Sequence, residues 1–464
     1  MSDHITTINP ATGKELKTYE RMSRSEVEDI IKKCHEAHLD WRLIPAEKRA
    51  QVVANIGRSL QANKEKLAKI MCEEMGKPIS TGYSEVDVCT GICDYTAETG
   101  PEFLKEEARD LQLGRTGYIH YSPIGIVYGI QPWNFPAYQV IRYAIASIMT
   151  GNGVLLKHAS NVTGSGLLLE EIFREGGLPE HLFRVLVIDH DQSNDVIAHE
   201  LVRGVTFTGS TEGGAKVAVE AAKHVKKSVL ELGSNDAFIV MSDADLDLAV
   251  EGCVAGRMAN NAETCIAAKR FIVVDSVYEE FQARFVERMK AVKSGDPMKE
   301  DTRLGPMARK DLREKLHEQV QESVKNGAQI LIGGEVPDGD GYYYPATVLN
   351  NVQPGQPAYD DELFGPVASL IRAKDDEDAF RLANDSKFGL GGGIFSKNVD
   401  HARKLAADCF DTGMVFINGY SLAQPNMPFG GVKNSGYGRE HGGLGVREFA
   451  NAKSIFDMGG TIAA

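Results

Sequence analysis

The sequence predicts an α/β protein with a doubly wound parallel-sheet domain, a second α/β domain and a β arm. Three observations carry this. Between Gly153 and Lys226, short apolar strand runs alternate with amphipathic helices, the βαβα order that crossover connections fold into a parallel sheet. From about Leu230 to about 430, a second stretch of the same texture follows. The tail, Phe449 to Met458, reads as a strand with no partner nearby in sequence, and such isolated terminal strands often pair with another subunit.

In chain order, the first 110 residues read as mostly helical. Ser23 and Glu26 form a capping-box pair, and Val27, Ile30, Ile31 and Cys34 then recur at helical spacing. One long helix is expected from about Ala46 toward Met75, stopped by Gly76-Lys77-Pro78. Tyr118–Tyr121 and Gly125–Ile130 are strand-like. Strands at Gly153–Lys157, Leu182–Ile188 and Gly204–Phe207 alternate with helices near Leu167–Phe173, Asp195–Leu201 and Thr211–Lys226. In the second stretch, Arg270–Val274 is a strand and Val277–Val292 an amphipathic helix.

Bulk properties narrow the function classes. The 464 residues allow roughly three domains, or two with elaborations. With 42% apolar and 25% charged residues, a packed core needs no staples. A net charge of −14 argues against nucleic acid or an anionic membrane as partner. Met1 to Thr7 show no signal-peptide pattern. The most apolar region, Gly125 to Leu156, is interrupted by Gln131, Asn134, Pro136, Arg142 and Asn152, so no membrane-spanning helix is expected. Seven cysteines without paired spacing predict reduced thiols and a cytoplasmic location. Cys89 and Cys93 read as helical core thiols, and no metal is expected.

Five segments carry chemistry. The strand ending at Phe207 runs into Thr208-Gly209-Ser210-Thr211-Glu212-Gly213-Gly214, a turn that lets a phosphate approach a helix N-terminus. Lys157 ends another strand of the same sheet. Cys265 lies in a polar, small-residue segment, unlike a core strand. Glu231 is a carboxylate in an apolar run, where burial would raise its pKa as a general base needs. Asn134 is held in Pro132-Trp133-Asn134-Phe135-Pro136, and rigid placement suits an oxyanion donor. Each also has an ordinary reading alone: a glycine-rich turn, a surface lysine, a buried thiol, a strand-edge glutamate, a turn asparagine.

Together these segments resemble the aldehyde dehydrogenase superfamily over nearly the whole chain. The motifs are Pro132–Pro136, Phe207–Gly214, Glu231-Leu232-Gly233, Cys265 five residues after Asn260, Glu362–Val367 and Pro428–Gly436, in the family's order. The resemblance implies a nicotinamide-cofactor-binding domain at 1–106 and 124–230, a catalytic domain at 231–430, and an oligomerisation arm at 107–123 and 446–464. A homodimer or homotetramer is then expected. It also implies that Cys265 attacks an aldehyde, that the Asn134 amide and the Cys265 backbone N–H hold the oxyanion, and that Glu231 activates water to hydrolyse a thioester. Branches that transfer the acyl group to coenzyme A generally lack that glutamate, so hydrolysis is favoured. On the cofactor side the resemblance points to Trp133, Lys157, Ser160, Gly209, Ser210, Glu362 and Phe364.

Within the superfamily the chain most resembles bacterial succinate-semialdehyde dehydrogenases, through Lys157–Asn161, Asn235–Val240 and Cys265–Phe271. Related enzymes carry a substrate-carboxylate arginine at the position of Arg142, and Tyr138 is expected beside the substrate. An arginine fork suits a carboxylate. The alternative for Arg142 is a structural salt bridge. Ser160 stands where NAD-specific members often carry a glutamate, so NADP or NAD is expected. Three departures stand out. Ala259 replaces a second carboxylate-binding arginine found in some relatives. Ala262 and Glu263 replace the usual glycine and glutamine; Glu263 either burdens the Cys265 thiol, points away, or pairs with a lysine. Ala267 replaces a redox-partner cysteine, so no disulfide at Cys265 is expected. Competing readings are a dehydrogenase for another small aldehyde and a non-catalytic family member.

Overall fold

The computed structural model describes residues 3–112 and 115–458. Residues 1, 2, 113, 114 and 459–464 lie outside the described residues, and with them the start of the N-terminal stretch and parts of the expected arm.

The first sheet has six strands, five of them parallel. Across the sheet these run Lys227–Glu231, Val202–Thr208, Ile126–Gln131, Gly153–His158 and Phe183–Val185. The chain starts in the middle, winds outward to one side, then returns to build the other. The reversal falls between Ile126–Gln131 and Val202–Thr208, and a crevice opens beyond the carboxyl ends of two such strands. All of Gly153–His158 is buried, as expected for a strand with helices on both faces. Gly436–Tyr437 closes one edge antiparallel.

The second sheet has seven strands. Six are parallel, in the order Thr347–Asn350, Val367–Ala373, Arg270–Val274, Ala237–Val240, Gly392–Phe395 and Phe416–Ile417. Gln329–Ile332 adds an antiparallel edge. Each sheet has its own apolar core. Segments after first-sheet strands (Pro132–Asn134, Thr208–Ser210) and before second-sheet strands (Gly233, Cys265, Glu362) line one cavity. Carboxyl ends of one sheet therefore face amino ends of the other across the site.

Three expectations need correcting. The chain opens with a β-hairpin, His4–Asn9 paired with Lys14–Glu20, not with helix. The long helix from Ala46 is two helices, Ala46–Ala62 and Lys64–Met75. Between them the Asn63 side-chain amide donates to the Ser59 carbonyl (3.0 Å) and to Glu175 (2.7 Å), competing locally with the helix ladder. The tail strand, Ala450–Asp457, finds its partner within the chain: it pairs antiparallel with Thr116–Pro123 along its length. Glu107–Asp110 pairs on the far side of Thr116–Pro123, so the arm is a three-stranded sheet. The stop at Gly76 holds. Its φ of 77° is left-handed, and a Cβ there would come within 2.7 Å of Pro306.

Candidate active site

Cys265 lies where two cavities meet. The larger, about 690 Å³, is also lined by Trp133, Asn134, Gly209, Ser210, Glu362 and Phe364. The smaller, about 20 Å³, is mainly apolar and is walled by Phe135, Tyr138, Ile266 and Phe429. The structure thus brings together the Cys265 thiol, the Asn134 amide and five of the seven expected cofactor residues. Burial pushes the Cys265 thiol up to about 12, against the pull of Arg142 and Lys269.

Asn134 is buried, and its amide is locked. Its Nδ2 donates to the Glu263 carbonyl at 3.0 Å and its Oδ1 accepts from Gln139 at 3.3 Å. One hydrogen of Nδ2 remains for an oxyanion. The Asn260 amide in turn donates to the Asn134 carbonyl at 2.7 Å, so the Cys265 loop and the Asn134 segment hold each other in place. Asn261 donates to the carbonyls of Gly76 and Pro306 at 2.9 and 3.0 Å.

This lacing costs backbone strain. Asn260, Asn261 and Ala262 are consecutive left-handed residues, with φ of 54°, 58° and 62°. Asparagine tolerates this region, while an alanine there costs about 1–2 kcal/mol. Ala262→Gly is therefore expected to raise stability by roughly 1 kcal/mol, less glycine's extra unfolded-state entropy. Thermal and urea melts would check it, and a destabilised variant would show that the Ala262 methyl matters more than the strain.

Glu263 points away from the thiol. Its Oε1 accepts from the Ala308 backbone N–H at 3.1 Å, and its Oε2 is buried without a hydrogen-bond partner. Burial holds its carboxyl well above the usual range, against that backbone bond and the nearby charge of Lys77. A neutral acid does not oppose thiolate formation at Cys265.

Glu231 is buried on the strand Lys227–Glu231, and neither carboxylate oxygen has a hydrogen-bond partner. Burial raises its pKa well above 4.5; Arg142 opposes this and Glu440 adds to it. It lines neither cavity, and a Cβ on Gly430 would stand 2.9 Å from its Oε1.

Arg142 also lines neither cavity. It is fully buried, ion-paired with buried Glu440, and donates to Thr208 Oγ1 at 3.0 Å. Its guanidinium lies 5.4 Å from the Tyr138 ring and 4.7 Å from the Phe429 ring, two walls of the smaller cavity. The salt bridge weighed against the carboxylate fork is present, yet Nη1 has no hydrogen-bond partner. The Tyr138 hydroxyl is 2.9 Å from His441 Nε2, and burial pushes that imidazole down to about 3.

The remaining cofactor-side residues sit farther out. Ser210 caps the helix Thr211–Lys223 by accepting from the Gly213 N–H, 3.2 Å away, at the cavity's edge. The Trp133 and Phe364 rings meet edge to face at 5.7 Å. Glu362 accepts from the Ser234 N–H at 3.1 Å and pairs with Lys269 at 3.2 Å. Lys157 and Ser160 do not line the cavity. Lys157 is only 7% exposed, and its ammonium makes no hydrogen bond or ion pair among the described residues. A largely buried lysine with a free ammonium suits an anionic or hydroxyl-rich ligand. With a helix N-terminus opening on the cavity and a carboxylate at its other end, these residues fit a dinucleotide.

Sequence reasoning missed Arg309 and Lys315, which line the same cavity, and the Lys269–Glu362 pair. The run of basic residues from Arg309 into the helix Lys310–Lys325 was the signal for the first two. Among the described residues, no group of acidic, histidine or cysteine side chains could hold a metal, and no helix is long and apolar enough to cross a membrane.

Two sheets meeting end to end, with a thiol at the junction of a large polar-lined cavity and a small apolar one, define the architecture of a nicotinamide-dependent dehydrogenase. The chain belongs to the aldehyde dehydrogenase family, whose model matches residues 1–455. It is 44% identical over 453 residues to the succinate semialdehyde dehydrogenase [NAD(P)+] Sad of Escherichia coli (strain K12), covering 98% of both chains. It is 40% identical to the succinate-semialdehyde dehydrogenase [NADP(+)] of Deinococcus radiodurans, covering 97% of this chain and 94% of that one. The succinic semialdehyde dehydrogenase of Streptococcus pyogenes, solved in complex with NADP+, superposes with a TM-score of 0.95 at 37% identity, covering 97% of this chain and 99% of that one.

Proposed function

We propose that this protein oxidises succinate semialdehyde to succinate with NADP or NAD. The observation that carries the reading is the position of Cys265 between the two cavities, in a chain 44% identical to an enzyme named for that substrate. The bound oxidised nicotinamide supplies the hydride acceptor. Trp133, Gly209, Ser210, Glu362 and Phe364 would hold it in the larger cavity, and Lys157 and Ser160 would bind its ribose and phosphate groups. Ser160 adds no negative charge to repel a 2′-phosphate.

Cys265 attacks the aldehyde carbon as thiolate, and Asn134 Nδ2 and the Cys265 N–H donate to the resulting alkoxide. Loss of hydride from this thiohemiacetal leaves a thioester. Glu231 turns toward it, takes a proton from water, and the hydroxide displaces the thiolate. Aldehyde, water and oxidised cofactor give carboxylate, reduced cofactor and two protons.

The distal carboxylate goes to the Tyr138–Phe429 end of the smaller cavity, with Arg142 behind it. Initial rates of NADPH and NADH formation test this with succinate semialdehyde and a neutral aldehyde of similar length. Arg142→Ala is expected to lose roughly 10- to 100-fold on the acidic substrate, the scale of one charged hydrogen bond, and much less on the neutral one. Equal loss on both would assign Arg142 to holding Glu440, and preference for the neutral aldehyde would remove the semialdehyde assignment.

The proposal includes a cytoplasmic setting and a homo-oligomer. All seven cysteines are free, as in a reducing compartment. The arm carries exposed Ile455 and Phe456, and Glu107–Asp110 forms one edge of its sheet. A dimer or tetramer is expected by light scattering; a monomer at micromolar concentration would overturn it.

A further inference from the structure

Four residues beyond Cys265, Lys269 is buried at the start of the strand Arg270–Val274. Its ammonium donates to three carbonyls of its own loop: Cys265 at 2.6 Å, Thr264 at 3.2 Å and Ala267 at 3.5 Å. It also pairs with Glu362, 3.2 Å away across the larger cavity's wall. The backbone N–H of Lys269 donates to the Asp236 carbonyl at 3.1 Å, which fixes the root of the side chain. A single cation thus joins the nucleophile loop to the carboxylate at the cofactor end of the site.

The Thr264 carbonyl belongs to the same peptide plane as the Cys265 N–H. In a trans peptide the two point in opposite directions. A cation that holds the carbonyl therefore aims the N–H away from itself and polarises it as a donor. The Cys265 carbonyl is held by the same ammonium, so both peptide planes flanking the nucleophile are fixed by one side chain.

We propose that Lys269 is a positioning residue that orients and polarises the Cys265 backbone N–H and couples the nucleophile loop to Glu362. Through this link, a ligand that draws the Glu362 carboxylate toward itself leaves the lysine charge to the cysteine. The inference rests on Cys265 being the nucleophile and deepens that reading.

The charged and titratable groups around Cys265 come from several elements. Arg142 and Tyr138 belong to the helix Tyr138–Thr150, Asp236 and Lys269 precede adjacent strands, and Glu362 and Tyr420 lie on loops. Arg142 and Lys269 favour the thiolate; Glu362 and Asp236 oppose it. Removing Lys269 and removing the charge of Glu362 should therefore act on the thiol with opposite sign.

The test is the rate of Cys265 alkylation by iodoacetamide, read by peptide mass spectrometry across pH on the full-length protein without cofactor. Lys269→Met is expected to slow labelling at neutral pH about tenfold, a shift of about one pH unit. Glu362→Gln is expected to speed it. With cofactor and aldehyde present, Lys269→Met should lower kcat about 10- to 100-fold, part of the worth of one oxyanion donor, with the aldehyde KM little changed. Wild-type labelling and kcat in a folded Lys269→Met variant would overturn the proposal. So would slower or unchanged labelling in Glu362→Gln, which retains the lysine should Lys269→Met fail to fold. A Cys265→Ala variant that still turns over would instead overturn the assignment of the nucleophile.

Discussion

Cys265→Ala is expected to lose dehydrogenase activity by about 10⁴-fold or more, with an unchanged melting temperature. On the proposed mechanism the chemical effect is large, because every later step is carried on the sulfur. The structural effect is small because the thiol sits at the meeting of two cavities, and alanine leaves the Lys269 and Asn134 contacts in place. Reduced-cofactor absorbance and a thermal melt on one preparation check both halves. Retention of more than about a hundredth of the activity would mean that another group attacks the aldehyde. Because burial pushes this thiol up to about 12, alkylation of the free enzyme should rise about tenfold per pH unit through neutrality.

Glu231→Gln is expected to separate the two halves of the reaction. The first turnover should still deliver a burst of reduced cofactor, since thioester formation does not use the carboxylate. Steady turnover should fall by about 10²- to 10⁴-fold. Rapid mixing checks this; a lost burst would place Glu231 in the activation of Cys265. The pH profile follows from burial, which raises this carboxyl well above its ordinary value against the pull of Arg142. Below the raised value Glu231 is protonated and cannot accept a proton, so the wild-type steady-state rate falls with falling pH. Stability runs the other way. The native state binds this proton more tightly than the unfolded chain, so its stabilising contribution is complete below the unfolded pKa, near about 4.3, and is lost as pH rises through the folded value. Relative to wild type, Glu231→Gln should gain melting temperature as pH rises.

The alternation of strands and helices was legible because fully buried strands such as Gly153–His158 and Arg270–Val274 are nearly unbroken apolar runs. The N-terminal hairpin was not, since Lys14–Glu20 buries only Tyr19 and offers no apolar alternation. The break at Asn63 depends on Glu175, far along the chain, as well as on Ser59. At the site, Cys265, Asn134 and the glycine turn lie in local motifs, and their meeting at one cavity was legible. What a side chain pairs with was not. Arg142 meets Glu440 where the returning chain closes the edge of the first sheet, and Lys269 meets Glu362 because the strands that follow them are neighbours in the second sheet, so neither partner is written near it in sequence. The Glu263 carboxyl, close to Cys265 in sequence, turns instead to the Ala308 N–H.

The closing segment of the chain has a consequence for synthesis. The Phe449 ring fills the space beside Gly204, Asn152 donates to the Phe449 carbonyl at 3.0 Å, and Thr150 donates to that of Val446 at 2.6 Å. Ala450–Asp457 then completes the arm. A ribosome makes the five parallel strands of the first sheet, through Glu231, long before it makes Val446–Asp457. Chains broken off by stalling or truncated messages carry the nucleophile yet lack that seal and one arm strand. They are left with exposed core and an unpaired edge, the features by which chaperones and proteases sort unfinished chains.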